Sequence, residues 1–390
     1  MRFAIIGQSA EAVVLADSIR ATTVHQIGPC CVAGPLAAAM TNRGVAFSLV
    51  ASPEEAMIES GVDVVVVAEA DVDASISLAR QASQADRHVL VIPPDEVSTA
   101  YSFELHLLLD ESNFGIVPLT GRWYVHFDQM SAGEIREDVQ QLSLDLLLTD
   151  DEAVLRRRQL RGVDALCGCG YKYTRVTALD VPGGDGRLLS RSVTLSASDA
   201  SDVQVPPGIL TFRKEPPLRV FTPLNSDSDP TTANDAKLVV TKTDGTEHQI
   251  TTTLQSPVSS GFRTDDGVLV NRLVQHLTDR DKCQSHMEQF SNTLEMTAGL
   301  EKSLRRRRTI DVYFDGISER SAFKTQMTAI GCGVLTYVIF GMVGFLIMAQ
   351  LTGLPPVVLH IARIVWIAPV VLFLFAQFLL PLARERRRND

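Results

Sequence analysis

A six-residue turn near the start of the chain has the residue types of a phosphate-binding loop. Gly7-Gln8-Ser9-Ala10-Glu11-Ala12 follows the apolar run 3–6 and opens a segment with helical spacing of apolar residues. A glycine at the first position permits a tight turn, and N–H groups at the start of a helix bind phosphate. Ser9 replaces the second glycine of the G-x-G-x-x-G/A pattern, and Glu11 adds a negative charge beside it. The turn therefore predicts a weakened dinucleotide site.

The acidic residue that usually binds the ribose hydroxyls of a dinucleotide is missing. It normally lies about 20 residues beyond the glycine turn, but the chain has no Asp or Glu between Ser18 and Ala51. Arg43 lies in this interval. It would either face a 2′-phosphate or be a solvated residue at a helix end, and both interpretations stay open.

The elements that must position this turn alternate along the first 120 residues. The segment 62–68 is β-branched and apolar apart from Asp63, as in a strand buried on both faces. Ser52 followed by Pro53 and Glu55 is typical of a helix start. The alternation predicts a doubly wound parallel sheet with the turn at the carboxyl end of its first strand. Strands are predicted at 3–6, 28–33, 45–50, 62–68, 88–92 and 114–117, and helices at 11–19, 35–41, 53 onward, 74–85 and 99–111.

Three segments of this region carry a resemblance to a known family. They are Ser52-Pro53-Glu54-Glu55-Ala56, Val62-Asp63-Val64-Val65-Val66-Val67-Ala68 and His88-Val89-Leu90-Val91-Ile92-Pro93-Pro94. They are similar to the S-x-E-E-x, V-D-A-V-V-I-A-T and K-H-V-L-V-E-K-P phrases of the Gfo/Idh/MocA family of NAD(P)-dependent oxidoreductases. A weaker likeness continues through Leu273–Leu304 and Arg308–Val312. The resemblance implies a Rossmann-like domain at 1–120 that binds NAD or NADP. The implied cofactor-binding positions are Gly7, Gln8, Ser9, Ala12, Ala68 and Pro93.

The same resemblance places two catalytic positions on residues that carry no titratable proton. The family's catalytic lysine, in E-K-P, falls on Pro93. Its acid/base histidine, in D-x-G-x-H-x-x-D, falls on Leu142 of the segment Asp138–Asp145. Hydride transfer involving a hydroxyl needs a group that moves the hydroxyl proton. The sequence thus predicts a non-catalytic or divergent nucleotide-binding protein. The alternative is an active NAD(P)-dependent oxidoreductase that uses other acid/base residues on a sugar or cyclitol.

Residues 121–314 are predicted to form a second, α+β domain with a mostly antiparallel sheet. Helices are predicted at Glu134–Leu148 and Asp151–Arg161. Asp138 and Asp145, on the first, are either the two aspartates of the family motif or exposed helix charges. In the resembling family this sheet often mediates assembly, which implies a homo-oligomer. Strands are predicted at 122–127, 171–179, 192–195, 209–212, 219–221, 237–241 and 248–253.

The C-terminal part of the sequence is apolar. Ala329–Leu351 and Ile364–Leu382 carry no charge, and each has about the 20 residues needed to cross a bilayer as a helix. A linker at 315–327 and a basic tail at 384–390 flank this hairpin at 328–383. Because positive flanks stay in the cytoplasm, the pattern predicts a multi-pass membrane protein that contacts lipid through the hairpin. The N-terminal domains and the C-terminus would be cytoplasmic.

Charge and ligand spacing exclude two other classes of function. With 36 Lys and Arg against 46 Asp and Glu, the net charge of −10 gives no footprint for nucleic acid. His106 and His126 lack a Cys, Glu or second His at metal spacing, so no metal site is predicted. His88 is expected to pack at a strand edge. Six cysteines without paired metal spacing are expected to be reduced.

Overall fold

The computed structural model describes residues 1–121, 138–184, 187–197, 205–214, 236–252 and 266–312, and six positions between 336 and 344. The chain divides into a compact unit, Met1–Phe314, and a second unit, Asp315–Asp390. All elements named below belong to the first unit.

The first sheet has six parallel strands, and helices connect most of them. The strands are β1 (Arg2–Gly7), β2 (Gln26–Val32), β3 (Ser48–Leu49), β4 (Val64–Ala68), β5 (His88–Val91) and β6 (Ile116–Pro118). The helices are α1 (Glu11–Ala21), α2 (Gly34–Asn42), α3 (Pro53–Ile58), α4 (Val72–Gln84) and α5 (Thr99–Glu111). The strand order β3-β2-β1-β4-β5-β6 is that of a dinucleotide-binding fold. The predicted Rossmann-like sheet is confirmed, with each predicted element within a few residues.

Local interactions explain why these elements begin where the sequence indicates. The Ser52 side chain accepts a hydrogen bond from the Glu55 N–H at 3.2 Å, as predicted for the start of α3. The Glu55 carboxylate returns to the N–H of Ala51, at 3.0 Å, and not to that of Ser52. Strand β4 is fully buried along its length, as its β-branched sequence predicts.

The second sheet has seven strands and is mostly antiparallel, as predicted. They are β7 (Val139–Leu147), β8 (Arg175–Pro182), β9 (Leu188–Ser196), β10 (Gly208–Arg213), β11 (Ala236–Lys242), β12 (Glu247–Thr252) and β13 (Ile310–Asp311). Their order is β12-β11-β7-β10-β9-β8-β13, and only β7 and β10 pair in parallel. Three helices accompany the sheet: α6 (Glu152–Gly168), α7 (Asp266–Thr278) and α8 (Arg280–Arg306). The predicted strands 122–127 and 219–221 lie outside the described residues.

The predicted helix Glu134–Leu148 is wrong, because residues 139–147 form strand β7. Leu142, Leu144 and Leu146 are buried in the second core and alternate with polar residues. This period of two belongs to a strand and not to a helix. Leu142 pairs with Gly208 and Val240 on either side. Asp145 therefore lies on a strand, not on a helix surface.

Helix α8 contributes to both hydrophobic cores of the unit. Its first half places Cys283, Met287 and Phe290 in the core of the first sheet. Its second half places Met296 and Leu300 in the core of the second sheet. One 27-residue helix thus holds the two sheets in one compact unit.

The structure contradicts the predicted multi-pass membrane localisation. A membrane-crossing helix needs about 20 mostly apolar residues, and no helix among the described residues combines that length with that apolar character. The basic run at 305–308 that supported the prediction ends α8, where positive side chains favour the negative end of a helix. The predicted spans 329–351 and 364–382 lie outside the described residues, apart from the few positions between 336 and 344.

Candidate functional site

The turn between β1 and α1 is tight and packs against the end of β4. Gly7 has a φ of +128°, and a Cβ at this position would lie 2.3 Å from the carbonyl oxygen of Ala68. No other residue fits so close to the end of β4. The N–H groups of Gln8 and Ser9 both donate to that oxygen at 2.9 Å. Ala68 therefore shapes the turn through its backbone.

The amides of the predicted cofactor-binding residues are used inside the turn. Besides those of Gln8 and Ser9, the N–H of Ala12 donates to the carbonyl oxygen of Ser9 at 3.0 Å. The Ser9 hydroxyl lies 3.4 Å from the N–H of Glu11. Ala12 itself is fully buried, which fits the close packing of its helix on the sheet. These three amides of the turn are thus already hydrogen bonded within the protein.

A buried ion pair lies at the start of α1. The Glu11 carboxylate is only 3% exposed and pairs with the guanidinium of Arg161 on α6. A second arginine of α6 approaches the same oxygen, with Nη1 of Arg157 at 3.6 Å from Oε1 of Glu11. Burial lowers the pKa of Arg161 to about 10, so this side chain is still protonated at neutral pH. The other oxygen of Glu11, Oε2, has no hydrogen-bond partner among the described residues.

The arginines of α6 also bind the loop that follows β5. Arg157 pairs with Asp95, two residues beyond Pro93. Arg156 lies 3.1 Å from Glu96 and 3.5 Å from the exposed Glu152 of its own helix. Helix α6 therefore connects the loops after β1 and β5, at the edge of the sheet where doubly wound folds bind ligands.

A second buried carboxylate, that of Asp164, lies on α6 one turn beyond Arg161. Asp164 is fully buried and accepts hydrogen bonds from the hydroxyls of Thr120, at 2.5 Å, and Thr293, at 3.0 Å. Thr120 follows β6, and Thr293 belongs to α8. Close by, a Cβ on Gly121 would lie 2.1 Å from the Arg161 carbonyl oxygen, so only glycine permits this approach. Asp164 thus joins three parts of the unit.

The remaining predicted residues lie away from this cluster or have structural roles. Pro93 is half-buried beside Asp95, while Leu142 lies in the second core. Arg43 lies 3.6 Å from Asp17, which supports the helix-end interpretation. Burial lowers the pKa of His88, whose Nδ1 accepts a hydrogen bond from the Gly115 N–H at 2.9 Å.

The histidine and cysteine residues that the structure describes are not grouped as in a metal site. Over the described ranges of the chain, no group of three His, Cys, Asp or Glu side chains is arranged to hold a metal ion. His106 lies 3.7 Å from Asp110, and His126 falls outside those ranges. Burial raises the pKa of Cys30 to about 12, so this thiol is not reactive near neutral pH.

Solved structures of oxidoreductases share this architecture. Myo-inositol dehydrogenase from Lactobacillus casei, solved with NAD(H) and myo-inositol, has a TM-score of 0.55 and 11% identity over 81% of this chain and 98% of its own. GenD2 from gentamicin A biosynthesis, solved with NAD, has a TM-score of 0.57 and 14% identity over 80% and 97%. An Agrobacterium radiobacter oxidoreductase, solved with NAD+, L-tartaric acid and magnesium, has a TM-score of 0.52 and 14% identity over 80% and 98%.

The chain has the fold of these oxidoreductases. No protein-family model and no curated protein matches its sequence. At 11–14% identity the likeness shows the fold alone, so the chemistry must be argued from the residues of the cluster.

Helix α6 carries an arginine-rich run at 156–161. The helix begins close to the start of the predicted helix Asp151–Arg161 and continues to Gly168. Arg161 of this run contacts the β1–α1 turn through Glu11, whereas Leu142, at the histidine position that the resemblance implies, lies in the second core.

Proposed function

We propose that this chain is a nucleotide-binding protein built on an oxidoreductase fold, and that it does not perform the acid/base chemistry of hydride transfer. The nucleotide would be NAD or NADP, as in the NAD complexes among the similar structures. It would lie against Gly7, Gln8, Ser9, Ala12 and Ala68, with Pro93 at the neighbouring loop.

The observation that carries this proposal is the buried pair of Arg161 and Glu11. A general acid or base works when its pKa lies near the working pH. Arg161 has its pKa near 10 and is held by a carboxylate, so it keeps its proton at neutral pH. Pro93 and Leu142, at the two catalytic positions that the resemblance implies, have no proton to transfer. Neither these two residues nor Arg161 supplies the required acid/base chemistry.

The backbone at Gly7 favours the binding of a dinucleotide, whereas the charge of Glu11 opposes it. The close approach of Gly7 to β4 leaves the turn as compact as a phosphate loop requires. Glu11, in contrast, places a negative charge at the helix start, where a pyrophosphate would bind. We therefore expect that the chain binds NAD(H) weakly and does not catalyse hydride transfer with it.

The alternative is an active NAD(P)-dependent oxidoreductase acting on a sugar or cyclitol. The observation in its favour is the similarity to a myo-inositol dehydrogenase structure that holds its substrate. Asp164 would then be the acid/base candidate, since it is a buried carboxylate on α6, one turn beyond Arg161.

A binding and turnover experiment on the full chain separates the two proposals. NADH and NADPH binding is measured by fluorescence titration, and NAD(P)+ reduction is followed at 340 nm with myo-inositol and a panel of sugars. We expect measurable binding and no reduction. Turnover with any of these substrates that is lost in Asp164→Asn, in a variant that stays folded, would establish the alternative.

We also propose that the second sheet mediates self-association. Leu179 and Val181 lie on the same face of β8 and remain 59% and 41% exposed. Exposed apolar patches mark protein contacts. Sedimentation of the full chain should show an oligomer that Leu179→Lys weakens. A monomeric wild type would reject the proposal.

A further inference from the structure

The ion cluster at the start of α1 resembles an anion-binding site. Its arginines bind a carboxylate of the same chain, that of Glu11. Arg157 and Arg161 both approach one oxygen of Glu11, and Arg157 also pairs with Asp95. Arginine binds phosphate through the same guanidinium fork that it offers to a carboxylate. The two arginines therefore suit a phosphate group as well as they suit Glu11.

The net charge of the cluster disfavours the binding of a second anion. Two arginines against the carboxylates of Glu11 and Asp95 leave no net positive charge among these four side chains. A pyrophosphate would carry its negative charges into this neutral cluster, beside the carboxylate of Glu11. Repulsion between like charges this close together opposes the binding of the pyrophosphate.

Two features of the cluster indicate that another anion can replace Glu11 on the arginines. Oε2 of Glu11 is buried without a hydrogen-bond partner among the described residues, so the carboxylate is incompletely satisfied where it lies. The Arg157 side chain is 32% exposed and divides its contacts between two carboxylates. An incoming anion can reach Arg157 from solvent and share it before Arg161 is involved.

We propose that Arg157 and Arg161 are the phosphate-binding residues of this chain, and that Glu11 is an internal competitor that holds them until a nucleotide pyrophosphate replaces it. This inference rests on the proposed nucleotide-binding function and adds the residues that control it. Glu11 keeps the affinity for nucleotide low, and its movement away from the arginines accompanies binding.

The test measures inorganic pyrophosphate binding to the full-length wild type and to Glu11→Gln by calorimetry at matched ionic strength. Glutamine keeps the shape of the side chain and removes its charge. We expect Glu11→Gln to bind pyrophosphate about 10- to 100-fold more tightly than the wild type, as loss of one nearby negative charge predicts. We also expect pyrophosphate to raise the melting temperature of Glu11→Gln but not that of the wild type.

Two further variants make the result specific. Glu152→Gln removes an exposed carboxylate from the same helix, one that contacts Arg156, and should leave pyrophosphate affinity unchanged. Arg157→Gln combined with Glu11→Gln should abolish the gain. If Glu11→Gln does not fold, Glu11→Asp keeps the charge on a shorter side chain and should give a smaller gain in the same direction.

The outcomes separate this inference from the proposed function. Equal pyrophosphate affinity in the wild type, Glu11→Gln and Glu152→Gln would overturn the inference, whatever NADH does. A gain in Glu11→Gln that depends on Arg157 supports it. If that gain appears while neither wild type nor variant binds NADH or NADPH, the inference stands and the nucleotide-binding function is rejected.

Discussion

Glu11 and Asp164 are both buried carboxylates that connect helix α6 to the first sheet, and they differ in what they contact. Glu11 is held by charged guanidinium groups, which approach the same oxygen. Asp164 uses both of its oxygens to accept hydrogen bonds from two neutral hydroxyls. The first contact leaves one carboxylate oxygen without a hydrogen-bond partner among the described residues, and the second does not.

This difference separates a contact that can be exchanged from one that is structural. A hydroxyl has one proton to donate. The Thr120 hydroxyl donates to Asp164, whereas that of Thr293 lies 3.0 Å from both Asp164 and the carbonyl oxygen of Gln289 on its own helix. An arginine has five N–H donors and can pass from one anion to another without losing all its partners. The ionic contact thus suits ligand control, and the hydroxyl contact suits fixing α6 in place.

The largest loss of stability is expected for the substitution Arg161→Met. It leaves the Glu11 carboxylate buried without its main counter-ion, and removal of one partner of a buried pair costs about 3–5 kcal/mol. Urea unfolding of the full chain measures this loss. The double variant Glu11→Met, Arg161→Met should recover most of it, because no charge is then left unpaired. A double variant as unstable as the single one would show that the pair is not the source of the effect.

A smaller effect is expected for Asp164→Asn. The amide keeps an oxygen that can accept one of the two hydroxyl bonds, and loss of the other costs about 1–3 kcal/mol. The same unfolding experiment measures it. If Asp164→Asn proved more destabilising than Arg161→Met, the ranking of the two carboxylates would be reversed.

Thr120→Val tests a single hydroxyl of the structural contact. Valine has the same shape, so the substitution removes one hydrogen bond and should cost about 1 kcal/mol. Its effect should be much reduced when Asp164 is already replaced by leucine, since the acceptor is then gone. Additive losses in this double-mutant cycle would contradict a direct contact.

The smallest effect is expected for Arg156→Gln. Its ion pairs with Glu96 and Glu152 are at the surface, and such pairs contribute about 0.5 kcal/mol or less. Unfolding in low and high salt should give nearly the same free energy for this variant and the wild type. A loss above about 2 kcal/mol would show that Arg156 belongs to the buried cluster after all.

The sequence predicted the first domain well because its signals are local. Apolar β-branched strands such as β4, and helix starts such as that at Ser52, depend on neighbouring residues alone. The Gly7 turn could be predicted for the same reason. Its packing against Ala68 could not be predicted, because this contact joins two strands that are distant in sequence.

The errors came from segments whose role depends on distant contacts. The sequence predicted a helix over 134–148, although the alternation of Leu142, Leu144 and Leu146 indicates a strand. The arginines of α6 lie in a segment whose spacing predicts only a helix. That Glu11 meets Arg161 depends on how α6 packs on the first sheet, which spacing along the chain does not specify.

The position of helix α8 in both cores constrains the order in which the protein can fold during synthesis. Phe290 packs edge-to-face on Tyr101 of α5, with ring centroids 6.3 Å apart, yet it is synthesised after every strand except β13. The first sheet therefore leaves the ribosome with part of its apolar surface uncovered. It stays in that state until α8 emerges, and a nascent chain of this length is exposed to aggregation or to chaperone binding throughout that interval.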